Sequence, residues 1–120
     1  MSELPVPLSN YLHLIRKKKS PYYDLLRYVI ADMERRYVVL EYPMDVVYTI
    51  NPRQLQKEIA DKIQSEKLTP MNIVRVILAA LHGSKLREDE DYYVTTSAGG
   101  RKNYHIKLNP VVLSILQSSF

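Results

Sequence analysis

The chain contains no cysteine and no tryptophan, and only one phenylalanine and three glycines among its 120 residues. Without cysteine there is no disulfide scaffold, no thiolate-bound zinc, no iron–sulfur cluster and no thiol nucleophile. A chain of this length does not need such staples, because one domain of 120 residues can bury a real core. Long hydrophobic runs are missing as well. The longest, residues 76–81, falls far short of the roughly 18 apolar residues that a membrane span requires. Residues 1–10 have no basic segment leading into an apolar one, so no secretory signal is expected. These absences lead to the expectation of a cytoplasmic protein with no membrane partner.

Catalytic constellations are scarce too. His13, His82 and His105 lie in separate elements, with no paired carboxylate at ligand spacing, so no metal site is expected. Gly83-Ser84-Lys85 lacks the upstream glycine of a phosphate-binding P-loop, and Ser97 lies in no nucleophile-elbow pattern. The acidic run Glu88-Asp89-Glu90-Asp91 reads as a solvated stretch. The expectation is a protein that is not an enzyme and carries no cofactor.

What is present begins with charge. Lys and Arg number 17 against 13 Asp and Glu, a net +4, which suits a polyanionic partner. Charged residues at 25% and hydrophobic residues at 46% are ordinary for a folded soluble domain and argue against disorder. Ten tyrosines serve cores, interfaces and nucleic-acid contacts alike, so they assign no function.

The clearest local signal occurs four times. Ser20-Pro21, Asn51-Pro52, Thr69-Pro70 and Asn109-Pro110 each place a capping side chain before a proline, the pairing that starts a helix. The first capped helix is predicted over residues 21–37, with Tyr22, Leu25, Leu26, Val29 and Met33 as its core stripe and Arg27, Asp32, Glu34 and Arg35 on the other side. Ahead of it, Leu8, Tyr11, Leu12 and Ile15 recur at helical spacing and end in Arg16-Lys17-Lys18-Lys19. Val46–Ile50 reads as a short strand. The second capped helix is predicted over 52–66, and a short link at Lys67-Leu68 leads to a third over 70–82, with Gly83 placed to terminate it.

Two strand-like runs, residues 92–97 and 103–108, flank a Gly-rich turn and predict a hairpin. Tyr104, Ile106 and Leu108 alternate with polar residues and should face the core. Pairing Thr96 with Tyr104, Val94 with Ile106 and Tyr92 with Leu108 matches the apolar faces and demands a loop of odd length, three or five residues. A last apolar segment, 111–116, follows Asn109-Pro110.

The order of elements resembles the winged helix-turn-helix superfamily, over residues 21–108. The Val46–Ile50 strand, the helix pair starting at Asn51 and Thr69, and the hairpin tip Ser97-Ala98-Gly99-Gly100-Arg101-Lys102 carry the resemblance. It implies an α+β fold with a three-helix core, a short strand and a two-stranded wing. Here that fold is one domain spanning residues 1–120, with residues 1–19 and 109–120 as helical extensions. It also implies a third helix that enters the DNA major groove, a wing on the backbone or minor groove, and frequent homodimers.

Residue chemistry agrees with parts of this. The hairpin carries its acids at the base and Arg101 and Lys102 at a small-residue tip, which suits phosphate contact. Thr69, Asn72 and Arg75 begin the third helix, and Asn and Arg are types that read adenine and guanine. Asn72, Arg75, Ala79 and His82 share one face, but the rest of that helix is apolar nearly all round. A buried helix, or one in a dimer interface, explains this equally well. Arg53 and Lys57 are phosphate-contact candidates on the second helix, where an ordinary solvated face would look the same. The reading is double-stranded DNA binding by a homodimeric, nucleoid-associated transcriptional regulator, dimerised through the apolar stripes of its two terminal segments. The alternative is a winged-helix module for protein assembly that binds no nucleic acid. A third reading has exposed tyrosines stacking on single-stranded nucleic acid.

Overall fold

A computed structural model describes residues 6–39 and 46–120. Residues 1–5 of the expected N-terminal extension, and residues 40–45, lie outside it. The chain runs α1 (Val6–Arg16), α2 (Pro21–Val39), β1 (Val46–Ile50), α3 (Pro52–Ile59), α4 (Pro70–Gly83), β2 (Tyr92–Thr96), β3 (Lys102–Leu108) and α5 (Pro110–Ser119).

All four capping dipeptides start helices. Ser20 Oγ accepts from the Tyr22 amide at 3.1 Å, Asn51 Oδ1 from Gln54 at 3.1 Å, Thr69 Oγ1 from Asn72 at 3.2 Å and Asn109 Oδ1 from Val112 at 2.9 Å. Each bond satisfies an amide that the first helical turn leaves orphaned, and the proline beside it has none to satisfy.

Helix ends depart from expectation. α3, expected to reach residue 66, stops at Ile59. Between that point and residue 66 the one large apolar side chain is Ile63, and it is half-buried. Leu68 enters the core instead, and Gln56 Nε2 holds its carbonyl at 3.1 Å. The expected two-residue link is therefore the ten residues 60–69. α4 ends one residue later than Gly83 would dictate. Ser84 is the C-cap and Lys85, at φ 62°, takes the left-handed position. The Leu86 amide reaches the Leu81 carbonyl and the Lys85 amide reaches His82, both at 3.1 Å, which closes a Schellman motif. Gly83 has a different job: a Cβ there would lie 2.7 Å from Leu12 Cδ1, so its missing side chain lets α1 lie close against α4.

The three strands form one antiparallel sheet in the order β1-β3-β2. β3 pairs with β2 two residues out of the expected register: Tyr92 faces Ile106, Val94 faces Tyr104 and Thr96 faces Lys102. The turn sets this. The Ser97 amide bonds the Arg101 carbonyl at 2.8 Å, and Gly99 and Gly100 take φ 90° and 76°, closing a five-residue loop. A shift of two preserves the pleat, so Tyr92, Tyr104, Ile106 and Leu108 are still buried. On the outer face His105 lies between Thr49 (Oγ1 to Nδ1, 3.0 Å) and Thr95 (Oγ1 to Nε2, 2.7 Å), with Tyr93 stacked on its ring.

The terminal helices belong to the core. α1 packs on α4 and α2, while α5 packs on α2 and β3. Ile15, Val112, Leu113 and Leu116 are buried, and Leu8, Tyr11 and Leu12 pack beside them. Much of the apolar surface expected at a dimer interface is thus packed within one chain, while Val111 at the start of α5 stays 67% exposed.

Asp32 also departs from expectation. It is 3% exposed, turned inward from the side of α2 assigned to solvent. Tyr48 on β1 donates its hydroxyl to Asp32 Oδ2 at 2.6 Å, Arg36 Nε lies 3.2 Å from the same oxygen, and Arg35 pairs with the other. Burial pushes the Asp32 carboxyl up, but the Tyr48 hydroxyl and the two guanidinium groups outweigh it and hold the carboxyl below its ordinary range. Burial, then the carboxylate it bonds, push the Tyr48 phenol far above its ordinary value.

Candidate nucleic-acid interface

On α3, Leu55 and Ile59 face the core, which leaves Arg53 and Lys57, one helical turn apart, on the exposed side. The hairpin tip carries Arg101 and Lys102. A Cβ added at Gly99 or Gly100 would meet nothing within 4 Å, so the tip stands free of the body. Between these elements lies the first turn of α4.

The structure brings these pieces together. A groove of about 380 Å³ has Arg53, Arg101 and Lys102 on its rim and Pro52, Pro70, Met71, Val74 and Tyr104 along its floor. A neighbouring depression of about 570 Å³ joins Arg53, Lys57 and Arg101 with Gln54 and Gln56 beside Pro70. Neither is lined by an acidic residue. The acids from Glu88 to Asp91 sit at the other end of the hairpin, where Arg87 NH1 pairs with Glu90 at 3.3 Å and the Arg87 amide bonds the Asp91 carboxylate at 2.8 Å. One five-residue strand, roughly 16 Å of chain, separates them from the basic tip.

Four of the seven predicted contact residues, Arg53, Lys57, Arg101 and Lys102, therefore share one surface. The other three divide. Thr69 is exposed, but its hydroxyl caps α4. The Asn72 amide is engaged at both ends: Tyr11 donates to its Oδ1 at 2.7 Å, and its Nδ2 donates to the Lys67 carbonyl at 2.7 Å. Arg75 is exposed with its guanidinium 6.0 Å from the Tyr11 ring centre. The face predicted to read bases is thus partly covered by α1, with Ala79 fully buried and Gly83 against Leu12. The exposed positions of α4 are Met71, Arg75 and His82, the first 63% exposed, with Val74 and Leu78 half-buried among them; of these, Met71 and Val74 border the groove beside the hairpin.

Met71 was not among the predicted contacts. Its signal was its place one helical turn before Arg75, on the same side of the wheel. Of the nine described tyrosines, Tyr22, Tyr48, Tyr92 and Tyr104 are buried and the other five are half-buried.

Comparisons against protein-family models, curated proteins and solved structures return no match to this chain. Among the described residues no group of three His, Cys, Asp or Glu is arranged to hold a metal ion, and no helix is long and apolar enough to cross a membrane.

Proposed function

We propose that this chain is a winged helix-turn-helix protein that binds double-stranded DNA, with β2–β3 as its wing. The three-helix core is α2, α3 and α4. The observation that carries the reading is the convergence of Arg53, Lys57, Arg101 and Lys102, from two elements far apart in sequence, around the first turn of α4 with no acid among the lining residues. Four cations on one surface neutralise up to four phosphates and release their counterions. The exposed strip of α4 then meets base edges through Arg75 and Met71. Asn72 takes no part, because its hydrogen bonds are spent within the chain.

The role that fits is regulation of transcription without catalysis. Packing of Ile15, Val112, Leu113 and Leu116 within one chain leaves less of the terminal stripes for a homodimer, with Val111 the large apolar residue of α5 that stays exposed.

One observation favours a second reading, a protein-assembly module. The floor of the groove is apolar, and Met71 is among the most exposed large hydrophobic residues described. Titration of a labelled duplex of about 25 base pairs at several salt concentrations separates the two. The four groove cations alone give a log–log salt slope of about −3 to −4 per bound chain. No binding at low salt, or a flat slope, overturns it in favour of the assembly module.

A further inference from the structure

We propose that the α1–α2 turn and the α3–α4 linker form a second phosphate-binding surface, on the flank of α4 away from the wing, which holds the opposite strand of the same duplex. The inference rests on the DNA-binding reading above. Lys17, Lys18 and Lys19 of the turn and Lys67 of the linker line one cleft of about 650 Å³, again with no acidic lining residue. None of the four is paired with a carboxylate among the described ion pairs. A cluster of four like charges repels itself, and an anion in the cleft relieves that repulsion.

These lysines are not a loose arm. The Lys17 amide bonds the Leu14 carbonyl at 3.1 Å and the Ser20 amide bonds Lys17 at 3.0 Å, so the turn is tight. α1 ends at Arg16, so Lys17, Lys18 and Lys19 follow at its C-terminus, where the helix dipole favours cations as well. The cleft is also tied to α4. Asn72 bonds the Lys67 carbonyl and the Tyr11 hydroxyl, and Tyr11 meets Tyr22 edge-on at 5.5 Å between ring centres. Asn72 therefore fixes the position of this second surface on the first turn of α4, while Pro70 and Met71 of the same turn face the groove below the wing.

Scale supports the assignment. A helix with its side chains is about 10–12 Å across, and the major groove of B-DNA is about 12 Å wide. Basic surfaces on the two flanks of one helix are thus on the scale of the two backbones that border the groove.

The test compares three proteins on one long duplex: the natural chain, the triple variant Lys17→Gln, Lys18→Gln, Lys19→Gln, and the double variant Arg101→Ala, Lys102→Ala. Affinity, salt slope and hydroxyl-radical protection are read for each. The triple variant should bind roughly tenfold more weakly at about 0.15 M salt, lose about two to three from the magnitude of the slope, and lose protection on one flank only. The double variant should lose protection on the other flank. All five positions are exposed, so unchanged melting temperatures exclude misfolding as the cause. A triple variant that matches the natural chain in affinity, slope and footprint overturns the second surface, and the DNA-binding reading survives if the double variant is still weakened. Absence of duplex binding by the natural chain overturns both.

Discussion

The two flanks of α4 have opposite fates. On one, Asn72, Ala79 and Gly83 lie against α1, and the missing side chain at Gly83 lets Leu12 come close. On the other, Met71 and Val74 border an open groove rimmed by arginine and lysine. The helix is apolar nearly all round, and the reason is now visible. Its inner side serves the core, one flank is closed by a terminal helix, and the apolar residues of the other are left at a basic rim. An apolar circumference is a poor guide to which side of a helix works, because burial and exposed function recruit the same residue types there.

The largest effect should come from breaking the closed flank. Ile15 is fully buried, and Ile15→Ala should cost about 2–5 kcal/mol of stability by denaturant unfolding. Met71→Ala on the open flank should change stability by less than about 0.5 kcal/mol in the same measurement. Equal losses would mean that the two flanks are not different in kind.

Ionisable groups sharpen the contrast next. Asp32 is internal, whereas the four groove cations are at the surface. Because its folded carboxyl titrates below the unfolded value of about 3.9, Asp32 contributes stability that is fully present above that pH and lost as pH falls through the lower folded value. Asp32→Asn should cost about 1.5–3 kcal/mol at neutral pH, and should flatten the stability profile across that acid window. Unfolding titrations from pH 6 downward check both; an unchanged acid slope would show that Asp32 does not supply it.

The smallest effect is a coupling. Gly83→Ala gains about 1 kcal/mol of helix propensity but crowds Leu12, so alone it should be near neutral. In a Leu12→Ala background the crowding disappears, and the same change should stabilise by about 0.5–1 kcal/mol. A double-mutant cycle with no interaction energy would remove the close approach as the reason for the glycine.

Much of this was legible because it is local. A capping side chain beside a proline is complete within three or four residues, and all four such starts are observed. The buried face of β3 followed from alternation; that the hairpin tip and α3 share one surface is seen only in the fold. What could not be read depends on distant partners. Asp32 looks like a surface residue until Tyr48 arrives opposite it, and Asn72 looks like a base reader until Tyr11 occupies it. The terminal stripes looked like surplus surface because periodicity shows that a face must be covered without saying by what. The register missed by two because apolar matching fixes only which side faces in, and the hydrogen bonds of residues 97–101 decide the rest.

The strand order has a consequence for how the chain folds. The central strand, β3, meets β2 across a five-residue loop but meets β1 only after the chain has passed through α3 and α4: Ile50 pairs with Tyr104 and Val46 with Leu108. Closing the short loop costs far less entropy than closing the long one, so the hairpin should form first and β1 should be the last strand added. In pulse-labelled hydrogen exchange, amides bonded between β2 and β3 should gain protection ahead of those bonded between β1 and β3. The β2–β3 hairpin would then be the part of the sheet that assembles earliest.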